Sequence, residues 1–253
     1  ERNIFLSIIM PALNEETNIL SAINNTLRTF DDFGIGAEIV VVNDGSTDCT
    51  AALVEGLISK EGRRVRLVNH EFPRGYGASF WDGVDNAIGQ VVCVLPGDNE
   101  NDPGEILRYL KLLDDTDIVV PFVYNKHVRS FFRKALSRIY LNIINLTFGT
   151  HFNYTNGTAL YRKSILKGLD YRSYSFFFQA DILIRLVKRG YLFAEVPYRL
   201  GTRKASGSKA VTFSNFLHIV KDYIILVKDI YIGRERKLKQ NKFTSDSVSI
   251  ERY

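Results

Sequence analysis

The chain has 253 residues, 45% hydrophobic and 24% charged, which excludes global disorder and leaves enough apolar side chain for one large domain. Its net charge of +5 suits an anionic ligand or an anionic membrane surface, and no zinc-finger spacing or ribonucleoprotein-type aromatic motif points to nucleic acid. The cysteines, Cys49 and Cys93, argue against a disulfide framework and for a reducing, cytoplasmic compartment, with both thiols read as small buried hydrophobes.

"IFLSIIMP", residues 4–11, opens with an unbroken apolar run, which predicts a strand buried on both faces as in a parallel sheet. Residues 15–30 follow with Ile19, Leu20, Ile23 and Leu27 at helical spacing. "AEIVVVNDGSTDCT" repeats the plan with a strand over 38–42, a turn over 43–46 and a helix over 50–60 that Thr47 or Asp48 can cap. A third strand, "VRLVNH", leads through the glycine-rich turn of "RGYGASFWDGVDNAIG" into a helix. A fourth, "QVVCVLP", ends in "GDNENDP" and a helix over about 103–113, and "DIVVPF" is a fifth. This alternation predicts a mostly parallel α/β sheet with its site at the carboxyl ends of the strands.

The second half reads differently. Residues 129–148 form a long helical pattern, "NYTNGTALYRKSIL" a turn, short strand and helix start, and "SFFFQADILIRLVKRG" a helix ending at Gly190. A strand in "YLFAEVPYRL", a polar loop in "GTRKASGSKA" and a helix over 212–233 follow. The expected organisation is an α/β domain over 1–210 with the 129–148 helix inserted, a C-terminal helix over 211–233, and a basic, polar, disordered tail over 234–253.

Three stretches carry candidate chemistry. "PALNEE" (11–16) and "VNDGSTD" (42–48) each follow a strand, and loops at adjacent strand ends can converge on one ligand. Carboxylates there can hold ribose hydroxyls or a base edge, and glycine lets the backbone approach closely, although the same residues are good turn formers. "VLPGDNENDP" (94–103) is either a metal-holding turn or only a polar one. Asp181 lies on an otherwise apolar helix and is a candidate base for a hydroxyl acceptor or a structural residue. Asn156–Gly157 reads as a tight turn. His70, His127, His151 and His218 have no metal spacing and read as structural or surface residues.

Taken in order over roughly residues 4–210, "MPALNEE", "VVNDGSTDCT", "RGYGAS" with "GDNENDP", and "RKASGSK" resemble the family 2 glycosyltransferases, and within them the polyprenyl-phosphate sugar synthases of the dolichyl-phosphate mannose synthase kind. The resemblance implies the glycosyltransferase A fold (GT-A), with a mostly parallel sheet flanked by helices. It also implies an inverting, metal-dependent transfer of sugar from a nucleotide diphosphate to a polyprenyl phosphate, with Mg2+ or Mn2+. Under it Pro11, Leu13, Glu15 and Asp44 line the nucleoside pocket, and Gly75 and Ala78 shape its wall. Asp98 is the catalytic metal carboxylate, and Glu100 a second ligand because Pro96 stands where many relatives carry the first Asp of an Asp-any-Asp pair. Arg203 and Lys209 reach the diphosphate or an acceptor phosphate, and Asp181, with Gln179 nearby, lies close to the acceptor. Two alternatives stay open: transfer to a sugar hydroxyl in cell-surface polysaccharide or glycolipid assembly, and a catalytically inactive nucleotide-sugar-binding protein.

Between residues 131 and 144 apolar pairs recur every four positions, with Arg129, Arg133, Lys134 and Arg138 largely between them. That is a basic amphipathic helix suited to an anionic membrane surface, with packing on the sheet or on a second copy as the alternative. Phe213, Phe216, Leu217, Val220, Ile224 and Val227 share one side of the last helix. No apolar run reaches about 18 residues, so no transmembrane helix is predicted and the chain is expected at the inner face of a membrane as a peripheral protein.

Overall fold

A computed structural model of the chain describes residues 4–125, 131–199, 213–232 and 243–252. The apolar runs become β1 (Leu6–Ala12), β2 (Ala37–Asn43), β3 (Val65–Asn69), β4 (Val91–Val94), β5 (Ile118–Val123), β6 (Leu160–Arg162) and β7 (Phe193–Tyr198). Between and after them lie α1 (Ile19–Phe33), α2 (Thr50–Glu61), α3 (Tyr76–Asn86), α4 (Pro103–Leu107), α5 (Phe131–Phe148), α6 (Lys163–Lys167), α7 (Phe178–Lys188) and α8 (Phe213–Tyr231). Among the described residues the strands form one seven-stranded sheet in the order β3-β2-β1-β4-β6-β5-β7. It is parallel except at β6, which runs antiparallel to both neighbours with Val92 opposite Tyr161 and Val119 opposite Leu160.

The missing hydrophobic alternation has a direct cause. Leu6, Ile8 and Met10 of β1, with Ile39 and Val41 of β2, face a layer built by α1, α2 and α4. Ile9, Val40, Val42, Val92 and Val94 face the opposite layer, where Phe80 and Trp81 of α3, Ile144 and Phe148 of α5, and Ile182 to Leu186 of α7 pack. Every residue of β1 and β2 is buried, so both faces select apolar side chains. Each such side chain contributes about 1.5–3 kcal/mol. The result is a rigid sheet whose carboxyl edge holds four motif-bearing loops side by side.

Several sequence expectations shift. The first helix starts at Ile19, not 15, because Asn14 adopts a left-handed φ of 55° and the following residues turn to bond the β2 loop. The helix expected over 103–113 breaks into α4 and a 3-10 turn, Leu110–Asp114. At the break Tyr109 turns its hydroxyl to the Pro197 carbonyl at 2.8 Å. Cys93 is buried in β4 as expected, but Cys49 is exposed at the start of α2, where its side chain meets no core layer.

The tail expectation fails for residues 243–252. Phe243 stacks edge-on against Tyr191, and Val248–Arg252 forms a 3-10 turn. Ser247 and Ser249 donate hydroxyls, and Val248 its N–H, to the buried Asp117 carboxylate at the start of β5. A buried carboxylate needs such donors, and the polar tail supplies them.

Candidate active site

The loops after β1 to β4 are stitched together by main-chain hydrogen bonds that continue the sheet. Asp44 N–H donates to Ala12, His70 N–H to Asn43, and Gly97 N–H to Pro11, at 2.9, 2.9 and 3.0 Å. The first two motifs also lace to each other through side chains. Main-chain N–H groups of Asn14, Glu15 and Glu16 donate to Ser46 Oγ, Thr50 Oγ1 and Asp48 Oδ2, while Thr47 and Cys49 donate back to Asn14 Oδ1 and Glu16 Oε2. Slight burial works against it, but hydrogen bonds from Thr50 and Glu16 hold the Asp48 carboxyl below its usual range. The turn-forming reading of these motifs has a concrete form: the Asn, Ser and Asp side chains fix one loop against the next. Pro11 is buried, and Leu13 and Glu15 are half-buried at this edge.

Asp44 is buried at the end of β2 and its carboxylate is heavily engaged. Oδ1 accepts the Arg74 N–H at 2.8 Å and lies 2.7 Å from His70 Nδ1, and Oδ2 accepts the Gly75 N–H at 2.8 Å. It thus grips the glycine-rich turn that enters α3. Gly75, with φ 95°, makes the turn; a Cβ at Gly77 would lie 2.6 Å from the Tyr174 carbonyl carbon, so only glycine fits there. Ala78 is buried one residue on. Between the glycines, Tyr76 packs against Phe176 and Phe178. Burial, and then the nearby charge of Asp98, push its phenol far up, so it stays a neutral hydroxyl close to Asp98. Sequence reasoning missed Tyr76, although it lies inside the quoted "RGYGAS".

Asp98 leaves β4 half-buried, in a turn in which its Oδ1 accepts the Glu100 N–H at 3.0 Å. Asn99 adopts φ 58° and accepts a hydrogen bond from Asn25 of α1. Gly97 permits the close approach to α1, since a Cβ there would lie 2.9 Å from Ile19 Cδ1. Asp102 caps α4 through the Gly104 N–H at 2.8 Å, which separates its duty from that of Asp98 and Glu100. Among the described residues no three His, Cys, Asp or Glu side chains converge as a ready metal cage. An Asp98–Glu100 pair of hard carboxylates still fits a Mg2+ or Mn2+ that takes its remaining ligands from phosphate and water.

The other candidates lie on α7 or outside the described residues. Gln179, at the start of α7, is buried and donates to the Gly157 carbonyl at 3.0 Å, tying α7 to the Asn156–Gly157 turn. Asp181 is completely buried; both its oxygens accept from Arg185 Nε at 2.9 Å, and Arg185 reaches on to Asp229 of α8 at 2.8 Å. Burial pushes the Asp181 carboxyl up to about 6 against the pull of Arg185. Arg203 and Lys209 lie outside the described residues.

A sequence profile described as Glycosyl transferase family 2 matches residues 7–170. The chain belongs to that family. An undecaprenyl-phosphate 4-deoxy-4-formamido-L-arabinose transferase of Edwardsiella ictaluri is 29% identical over 65% of this chain and 51% of its own length. A dodecaprenyl-phosphate galacturonate synthase of Rhizobium johnstonii is 28% identical over 64% of this chain and 49% of its own. The chain therefore spans about half the length of the curated relatives it matches. Among solved structures, a glucosyl-3-phosphoglycerate synthase from Mycobacterium tuberculosis, in complex with Mn2+, UDP-glucose and phosphoglyceric acid, superposes with a TM-score of 0.65. It is 20% identical and covers 90% of this chain and 80% of that one. The same protein with Mg2+ and UDP gives 0.62 at 19% identity. These superpositions bear out the GT-A fold.

Proposed function

We propose that the chain is the catalytic part of an inverting, metal-dependent transferase that moves a sugar from a nucleotide diphosphate to a polyprenyl phosphate. One observation carries the reading: Asp98 stands at the carboxyl end of β4, beside the laced loops of β1 and β2 and the glycine turn of α3. The prenyl phosphates in the names of the two relatives support the acceptor class, and the metal complexes of the fold neighbour support the ion. The catalytic unit in this reading is residues 1–210, with α5 inserted.

In this mechanism Pro11, Leu13 and Glu15 line the nucleoside pocket, and Gly75 and Ala78 wall it. Asp98 and Glu100 would hold the ion, which supplies positive charge to the departing diphosphate. Arg203 and Lys209 add charge to the diphosphate or to the acceptor phosphate. An acceptor phosphate oxygen attacks the anomeric carbon from the face opposite the leaving group; the new C–O bond forms as the bond to the nucleotide diphosphate breaks. A phosphate is already anionic and needs no strong base, which agrees with an Asp181 carboxylate taken up by Arg185. Transfer to a sugar hydroxyl is the second reading, with Asp181 as base, and its complete burial weighs against it.

Among the described residues no helix is long and apolar enough to cross a membrane. In this reading the chain sits peripherally at the inner membrane face, and apolar side chains left exposed on two helices that pack together support the membrane contact. Leu136, Ile139, Ile143 and Leu146 lie on α5, and Phe216, Leu217, Val220 and Ile224 on α8. The deciding assay offers labelled nucleotide sugars with Mn2+ and polyprenyl phosphate; no turnover with any common donor would sink the proposal.

A further inference from the structure

His70 has no ligand-type partner near it in the chain, yet the fold sets it between two carboxylates. Nδ1 lies 2.7 Å from Asp44 Oδ1 and Nε2 lies 2.8 Å from Asp82 Oδ2 of α3. A carboxylate accepts and cannot donate, so both contacts are hydrogen bonds together only with a proton on each ring nitrogen. The imidazole is 4% exposed, so water does not compete for these bonds. Asp82 also takes the Arg74 guanidinium, and the charge of Arg172, from the loop before α7, acts on it too. The neighbouring Asn43–Asn69 pair is neutral. On its other side, Asp44 holds the main-chain N–H groups of Arg74 and Gly75. An unbroken run of bonds therefore joins α3, through one imidazole, to the end of β2 and then to the glycine turn.

We propose that His70 is a positioning residue of the nucleotide pocket: clamped between Asp44 and Asp82, it fixes the Asp44 carboxylate and, through it, the Arg74–Gly75 turn that walls the donor. The proposal rests on the nucleotide-sugar reading above. It gives Asp44 the task of holding the turn. Without the imidazole, Asp44 and Asp82 would lose the group that bridges them, and Asp44 would hold the turn without that tie to α3.

The test uses the full chain with His70→Gln, whose single amide cannot bridge both carboxylates, and Asp82→Asn, which keeps an acceptor in place but removes its charge. Circular dichroism first checks folding. Amide hydrogen exchange at Arg74 and Gly75 is then measured without ligand, and calorimetry measures affinity for UDP, GDP, CDP and ADP with Mn2+. The expected result is exchange about tenfold faster at those two amides, unchanged exchange in β1 and β2, and affinity for the bound nucleotide lower by about tenfold, the scale of one charge-assisted hydrogen bond. A folded His70→Gln protein with unchanged exchange at Arg74 and Gly75 overturns the clamp. Faster exchange with unchanged nucleotide affinity overturns the positioning role. If His70→Gln does not fold, Asp82→Asn decides by the same two outcomes. A wild-type chain that binds none of the four nucleotides overturns the parent reading and the pocket role with it, while the exchange data judge the clamp separately.

Discussion

At Asp98 one carboxylate oxygen is engaged in the turn itself. Oδ1 closes the turn onto the Glu100 N–H, which orients the carboxylate at the strand end, and Tyr76 stands near it as a neutral phenol. Asp98→Asn keeps an oxygen for the turn and removes the charge. The expected outcome is an unchanged melting temperature without ligand, loss of the Mn2+-dependent part of nucleotide stabilisation, and turnover down by about a hundredfold or more. A thermal-shift series with and without Mn2+ reads the first two, and intact metal-dependent stabilisation would mean that the ion is held elsewhere. Pro96 was legible as an oddity in the sequence. The backbone shows why a proline is tolerated there: the flanking Leu95 and Gly97 supply the N–H groups that pair with β1, and residue 96 is not asked for one.

Helices α7 and α8 meet over a polar seam in an apolar layer. Arg185 joins Asp181 to Asp229, while Asp222 of α8 accepts hydroxyls from Tyr171, Ser173 and Ser175. Asp181 is raised above the ordinary carboxyl value of 3.8 to about 6 by burial, so the folded state holds its proton more tightly than the unfolded chain. The sign follows: the contribution of Asp181 to stability falls as pH rises from about 4 to about 6. Urea unfolding of wild type and Asp181→Asn at several pH values should show the difference between them moving in favour of the variant across that window; a pH-independent difference would contradict it. On the outer side of the same layer, Leu146 is 88% exposed and Ile139 57%. Ile139→Glu with Leu146→Glu should leave the fold intact and abolish co-sedimentation with anionic phosphatidylglycerol vesicles. Unchanged sedimentation would rule out this face, and a change from dimer to monomer instead would make it a contact between copies. The periodicity of 131–148 announced an amphipathic helix; only packing revealed that Ile144 and Phe148 point inward while the next row is left outside.

Across the whole molecule, the chain closes on itself at the edge opposite the site. The tail returns to the start of β5, where Ser247, Ser249 and Val248 satisfy Asp117, and Ser249 Oγ also accepts the Leu192 N–H at 2.9 Å before β7. Removing residues 243–253 should lower stability by on the order of 2 kcal/mol, because the buried Asp117 carboxylate loses the tail donors and keeps its contact with Arg162 at 3.3 Å. Calorimetric melting of the truncated chain measures this, and an unchanged midpoint would show that the tail adds nothing. Nothing in "FTSDSVSIERY" signals that docking, since its polar composition reads as disorder and its partner lies about 130 positions away. By itself the sequence determined the strand–helix alternation, the doubly buried strands and the motif loops at their carboxyl ends, because these follow from local hydrophobic patterning and turn chemistry. Only the tertiary structure decided which polar side chains face one another. His70 between Asp44 and Asp82 and Asp117 under the tail are pairings between distant stretches of the chain, Asp181 on Arg185 joins two turns of one helix, and their exclusion from water is what makes each of them matter.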